Sequence, residues 1–154
     1  MKPLSEPRKT VILVDSHKST RITYANIIRV DLGYKVLKTE SAEKAFELFV
    51  RQHEKGKDVD LIISDVQRND EVDAGIELCR KIRKFELSHH RQGRPNNIPF
   101  ILQTGWLDTG HKNNVLEGDL RAADGVAGKA TLVTKGNIKV LENAIEAAFY
   151  GRKR

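Results

Sequence analysis

Two segments, Val11-Ile12-Leu13-Val14-Asp15 and Leu61-Ile62-Ile63-Ser64-Asp65, decide the fold. Each is a short, mostly apolar run that ends on an aspartate. Runs of this length, bounded by polar residues, suit strands buried on both faces of a sheet. Two more runs end on polar groups: Phe100-Ile101-Leu102-Gln103 on Thr104, and the shorter Val126-Ala127-Gly128 on Lys129. In an open parallel sheet the carboxyl ends of neighbouring strands converge on one crevice, where ligands bind. Two carboxylates, a hydroxyl and an ammonium gathered there suit a phosphoryl group. A carboxylate can accept it, the hydroxyl and amine can hold its oxygens, and a divalent cation can screen the charge.

Helical patterns separate these runs. Residues 19–31 read as a helix, with Ile22, Ala25 and Ile28 three apart and Gly33 as the stop. Tyr34-Lys35-Val36-Leu37 reads as a second strand. Ser41 is placed to cap a helix in which Ala42, Ala45, Phe46 and Phe49 share one face. A third strand is expected at 59–64, then a helix near 75–86 with Ile76, Cys79 and Ile82 inward, then a fourth strand at 98–103. A helix within 109–122 and a short fifth strand near 125–128 follow. Asn137 can cap a last helix with Ile138, Leu141, Ile145 and Ala148 on one face. This alternation argues for a parallel sheet covered on both faces. The first and third strands are the most apolar and belong at its centre. The expected fold is therefore flavodoxin-like α/β, a doubly wound five-stranded parallel sheet of order 2-1-3-4-5 with helices on both faces.

A chain of 154 residues is enough for one domain with a real core. With 39% hydrophobic and 31% charged residues, the composition is that of a soluble globular protein. No apolar run is long enough to span a bilayer, and residues 1–9 lack the apolar stretch of a secretion signal. The single Cys79 cannot form an internal disulfide, which agrees with a cytoplasmic location. Net charge is 27 − 21 = +6, densest in the short tail Arg152-Lys153-Arg154, so nucleic acid is not the expected partner.

At this point the chain resembles the receiver domain of bacterial two-component response regulators. The resemblance rests on the two aspartate-ending runs, on Thr104-Gly105 and on Ala123-Asp124-Gly125-Val126-Ala127-Gly128-Lys129. It covers roughly residues 9–149, which sets the expected organisation: an extension at 1–8, a receiver domain at 9–150 and a basic tail at 151–154. It implies that Asp65 is the phosphoacceptor, served by a histidine kinase or phosphotransfer protein. Asp15, Asp65 and the backbone carbonyl of Gln67 would hold Mg²⁺. Thr104 would bond the phosphoryl group and report it by moving, Gly105 would leave room beside its oxygens, and Lys129 would pair with carboxylate and then phosphate. The expected protein is a stand-alone receiver, not an enzyme, that signals by contact with a downstream protein target. A homodimer is compatible with that reading, and membrane attachment is not part of it.

The chain departs from the family pattern in four places. The usual second acidic residue after the first strand is Ser16, so only weakly bound Mg²⁺ is expected. The loop after Asp65 is long and acid-rich, and Asp70, Glu71 or Asp73 could replace the missing ligand or simply solvate the surface. Lys129 is followed by Ala130 rather than proline, so a trans bond is the default. Val126 stands where the family carries an aromatic switch. Trp106 is placed either to shield an acyl phosphate from water or to meet a partner. His17 could touch the site but reads as a loop histidine, and His89-His90 as solvent-exposed. The rival reading is a pseudo-receiver, an interaction module that is never phosphorylated. Two weaker ones are a nucleic-acid-binding module and a flavodoxin-like cofactor binder. The turn Asp15-Ser16-His17-Lys18-Ser19-Thr20 has no glycine for close approach to a cofactor phosphate.

Overall fold

A computed structural model describes residues 8–66, 68–69, 72–90, 97–105, 110–126 and 129–151. Five parallel strands form the sheet: β1 (Thr10–Val14), β2 (Lys35–Thr39), β3 (Leu61–Asp65), β4 (Phe100–Thr104) and β5 (Ala130–Thr134). Their order is 2-1-3-4-5, as the pattern of apolar runs predicts. The helices are α1 (Lys18–Asn26), α2 (Ala42–Glu54), α3 (Ala74–Ser88), α4 (Gly110–Asp124) and α5 (Ile138–Tyr150). A two-residue antiparallel pair, Arg68–Asn69 with Val72–Asp73, lies between β3 and α3.

The central strands feed two cores. Along β1 and β3, Ile12, Val14 and Ile62 face α2, α3 and α4, whereas Val11, Leu13, Leu61 and Ile63 face α1 and α5. Successive strand side chains point to opposite faces, so an unbroken apolar run is what two buried faces require. The caps sit where the sequence places them. Ser41 Oγ accepts from Lys44 N at 3.2 Å, and Asn137 Oδ1 from Val140 N at 3.2 Å. Gly33 turns the chain with φ +79°, a conformation that favours glycine.

Two expectations change. The first helix gives way to a wider π turn at Ile27–Asp31, where Leu32 N–H donates to the Ile27 carbonyl. Its buried stripe is Tyr24, Ala25 and Ile28, and Ile22 falls off that stripe, 39% exposed. The fifth strand is Ala130–Thr134, and of the run expected near 125–128 residues 127 and 128 lie outside the described residues. Gly125 takes φ +62° and ends α4, so the chain turns there instead of extending.

One ionic group is sealed inside. The Arg83 guanidinium on α3 contacts Asp124 Oδ1 at 2.6 Å and Glu86 Oε1 at 2.8 Å, and all three are at least nine-tenths buried. The second oxygens are also used: Glu86 Oε2 accepts from Ile98 N before β4, and Asp124 Oδ2 from Ala130 N at the start of β5. Burial works against the Arg83 charge, but Asp124 and Glu86 more than offset it and hold the guanidinium above its usual range. Burial pushes the neighbouring Cys79 thiol up to about 12, so it packs as an apolar group rather than as a nucleophile. Removing one member of a buried ion group strands the others. Arg83→Leu is therefore expected to cost about 3–5 kcal/mol in urea denaturation. A loss below about 1 kcal/mol would show that Asp124 and Glu86 do not depend on Arg83.

Candidate functional site

The sheet register builds the site. Val14 pairs with Ser64, and Asp65 with Gln103, so Asp15, Asp65 and Gln103 lie abreast at the carboxyl ends of β1, β3 and β4. All three are buried. Asp15 stands just past β1, where its N–H donates to the Thr39 carbonyl of β2. Behind Asp65, α3 approaches closely. A Cβ on Gly75 would lie 2.9 Å from the Asp65 carbonyl oxygen and 2.7 Å from Leu102, so only glycine fits there.

The charge between the aspartates is offset by Lys135. Its Nζ lies 3.0 Å from Asp15 Oδ2 and 3.6 Å from Asp65 Oδ2. At an effective dielectric near 20, each such pair is worth about 4 kcal/mol before desolvation. Lys135 follows the last residue of β5, and its N–H donates to the Thr104 carbonyl at 2.7 Å. Next to it, Gly136 N–H donates to the Tyr24 hydroxyl at 2.9 Å, tying the β5–α5 turn to α1. Lys129, the lysine expected here, precedes β5 instead. It is exposed, and its carbonyl accepts from Phe100 N at the opposite end of β4.

Ser16 holds the second carboxylate. Its backbone N–H and its hydroxyl both donate to Asp65 Oδ2, at 3.2 Å each. Oδ2 is therefore served by two donors and the ammonium, while buried Oδ1 has no hydrogen-bond partner among the described residues. The backbone of His17 donates to Asp15 Oδ1 at 2.8 Å, and Arg21 donates to the Asp15 carbonyl at 2.6 Å. A pocket of about 220 Å³ opens over Asp65, lined also by His17, Gln103, Thr104, Gly105 and Lys135. Thr104 is buried at its wall. A Cβ on Gly105 would meet nothing within 4 Å, so the space beside it is open.

Of the expected site residues, the fold thus brings Asp15, Asp65, Thr104 and Gly105 together and leaves Lys129 outside. Gln67, Asp70, Glu71 and Trp106 lie outside the described residues. Asp73 caps α3, its Oδ1 accepting from Gly75 N and Ile76 N. The donor set suits a divalent cation. Ligand atoms of Asp15, His17 and Asp65 lie within 4.8 Å of one another, and Asp65 Oδ1 is buried with uncommitted lone pairs.

Residues 11–124 match the family model for the response regulator receiver domain. The chain belongs to that family, a class of two-component signalling domains rather than of ordinary enzymes. The match stops before β5. No curated protein matches significantly. Solved receiver structures share the fold. A two-component response regulator of the LuxR family from Aurantimonas sp. is 23% identical with a TM-score of 0.68, over 96% of this chain and 89% of that one. The receiver domain of an HD domain-containing protein from Pseudomonas fluorescens is 20% identical with a TM-score of 0.67, over 94% and 97%. The chemotaxis protein CheY4 of Vibrio cholerae is 19% identical with a TM-score of 0.66, over 92% and 99%.

The Ser16 contacts make a test. Ser16→Asp replaces a donor to Asp65 with a third carboxylate. The metal-free protein is expected to lose about 1–3 kcal/mol of stability, and Mg²⁺ affinity to rise about tenfold or more as oxygen ligands and charge are added. Denaturation with and without Mg²⁺ reads both, and a variant unchanged in both would remove Ser16 from the site's charge balance.

Proposed function

We propose that this receiver domain accepts a phosphoryl group on Asp65 from a histidine kinase or phosphotransfer protein and signals by contact with a downstream protein. The observation that carries the reading is the arrangement of two abreast carboxylates and one bridging lysine beneath a pocket that Asp65 helps to line, with Asp65 Oδ1 unpaired among the described residues. The Asp65 carboxylate attacks phosphorus, the P–N bond to the donor imidazole breaks, and the imidazole leaves with the bonding pair and takes up a proton. Lys135, in the role expected of Lys129, offsets charge on the carboxylate and then on the phosphoryl oxygens. Asp15 and Asp65 would hold Mg²⁺, and the resemblance adds the backbone carbonyl of Gln67, which lies outside the described residues. A bound cation would neutralise the incoming oxygens.

Thr104 carries the response. Its hydroxyl gains a charge-assisted hydrogen bond only once the phosphoryl oxygens are present. Such a differential contact can shift a two-state equilibrium. The Thr104 carbonyl also accepts from Lys135 N–H, so movement of one strand end reaches the other. The pseudo-receiver reading has one observation in its favour. Ser16 and Lys135 already hold Asp65 through the protein's own donors.

Intact mass after incubation with Mg²⁺ and a small-molecule phosphodonor separates the two. The proposal expects one added phosphoryl group, absent from Asp65→Asn. No addition at saturating Mg²⁺ would contradict it and leave the pseudo-receiver.

A further inference from the structure

We propose that His17 joins Asp15 and Asp65 as a nitrogen ligand, so that this site takes a first-row transition-metal ion such as Zn²⁺ in preference to Mg²⁺. The inference rests on reading the pocket as a cation-assisted acceptor site, and it concerns which cation the chain's own residues select.

Lys135 approaches Oδ2 of both aspartates. Asp15, His17 and Asp65 each offer one ligand atom within 4.8 Å of the other two. His17 Nδ1 lies 3.7 Å from Asp15 Oδ1 and 3.5 Å from the Ser16 hydroxyl. Asp15 Oδ1 accepts one hydrogen bond, from His17 N–H, and a carboxylate oxygen retains a second lone pair for a cation. Atoms bound tetrahedrally to one zinc ion at about 2.0–2.2 Å lie roughly 3.3–3.6 Å apart. The three groups, within 4.8 Å of one another, therefore close in by roughly 1 Å to hold the ion, and the His17 ring, 74% exposed, is the side chain with room to move.

A second observation points independently to a ligand. Gln103 is fully buried and lines the same pocket, yet neither its Nε2 nor its Oε1 has a hydrogen-bond partner among the described residues. Buried amides are seldom left unpaired. A cation carrying bound water in this pocket would supply the missing partners.

The chemistry sets the preference. Mg²⁺ requires oxygen ligands in near-octahedral order. Ser16 withdraws the hard anionic oxygen expected beside Asp15 and commits its hydroxyl to Asp65. What remains is two carboxylates and an imidazole, a set that suits zinc and its first-row neighbours.

The test uses the full unphosphorylated chain. Zn²⁺ affinity is measured by competition with a chromophoric chelator, and Mg²⁺ affinity by calorimetry, for wild type, His17→Ala and Asp15→Asn. Zn²⁺ is expected to bind about 100-fold or more tighter than Mg²⁺. His17→Ala is expected to weaken Zn²⁺ about tenfold or more and to leave Mg²⁺ within about twofold, and Asp15→Asn to weaken both. Equal effects of His17→Ala on the two ions, or none, would overturn the proposal. So would Zn²⁺ binding unchanged in Asp15→Asn, because the ion would then sit on another of the five histidines. A His17-dependent zinc site in a chain that takes no phosphoryl group would contradict the proposed function while supporting this inference. Phosphorylation with Mg²⁺ in a chain whose zinc affinity ignores His17 would do the reverse.

Discussion

Two carboxylates forced side by side by a parallel register need a cation between them, and Lys135 is that cation. Asp15 and Asp65 have little choice of position. Each follows a fully buried run on a central strand, and sliding either strand by one residue would exchange the two cores. The apolar sheet therefore fixes the repulsion, and the end of β5 relieves it. Ser16 adds two donors to Asp65, so the carboxylate is held on Oδ2, while buried Oδ1 has no hydrogen-bond partner among the described residues.

The far side of the molecule keeps β4 and β5 in register for this purpose. Arg83 ties α3 to the end of α4 through Asp124. Asp124 and Glu86 in turn hold the backbone entries to β5 and β4. Buried ion groups seldom add net stability over apolar packing. Here the group joins segments that are distant in sequence, and so helps to determine where β5 begins. Lys135 reaches the aspartates only if β5 starts at Ala130, because the lysine follows directly on the strand's fifth and last residue.

Much of this was legible before any coordinates. Unbroken apolar runs identified the central strands and their order, and Ser41 and Asn137 announced two helix starts. Asp15, Asp65 and Thr104 follow from where those runs end. The fifth strand is hidden because Val126-Ala127-Gly128-Lys129 stands near the family's expected spacing, although it is short and contains glycine. Thr131-Leu132-Val133-Thr134 is the better strand, richer in β-branched residues, and it too runs directly into a lysine. Strand propensity thus points to Lys135 where motif spacing points to Lys129. The roles of Gln103 and Tyr24 had no such signal. A glutamine in an apolar strand and a tyrosine on a helix face acquire meaning only when neighbouring strands and the β5–α5 turn are placed beside them.

The central claim is that Lys135, and not Lys129, serves the acceptor pocket. Rates of phosphoryl uptake from a small-molecule donor, followed by intact mass for Lys135→Met and Lys129→Met side by side, test it most directly. The account predicts at least a roughly hundredfold loss for Lys135→Met, as for removal of one preorganised charge-stabilising group, and a rate within about twofold of wild type for Lys129→Met, an exposed substitution remote from the site. Loss of uptake in Lys129→Met with Lys135→Met unaffected would contradict it.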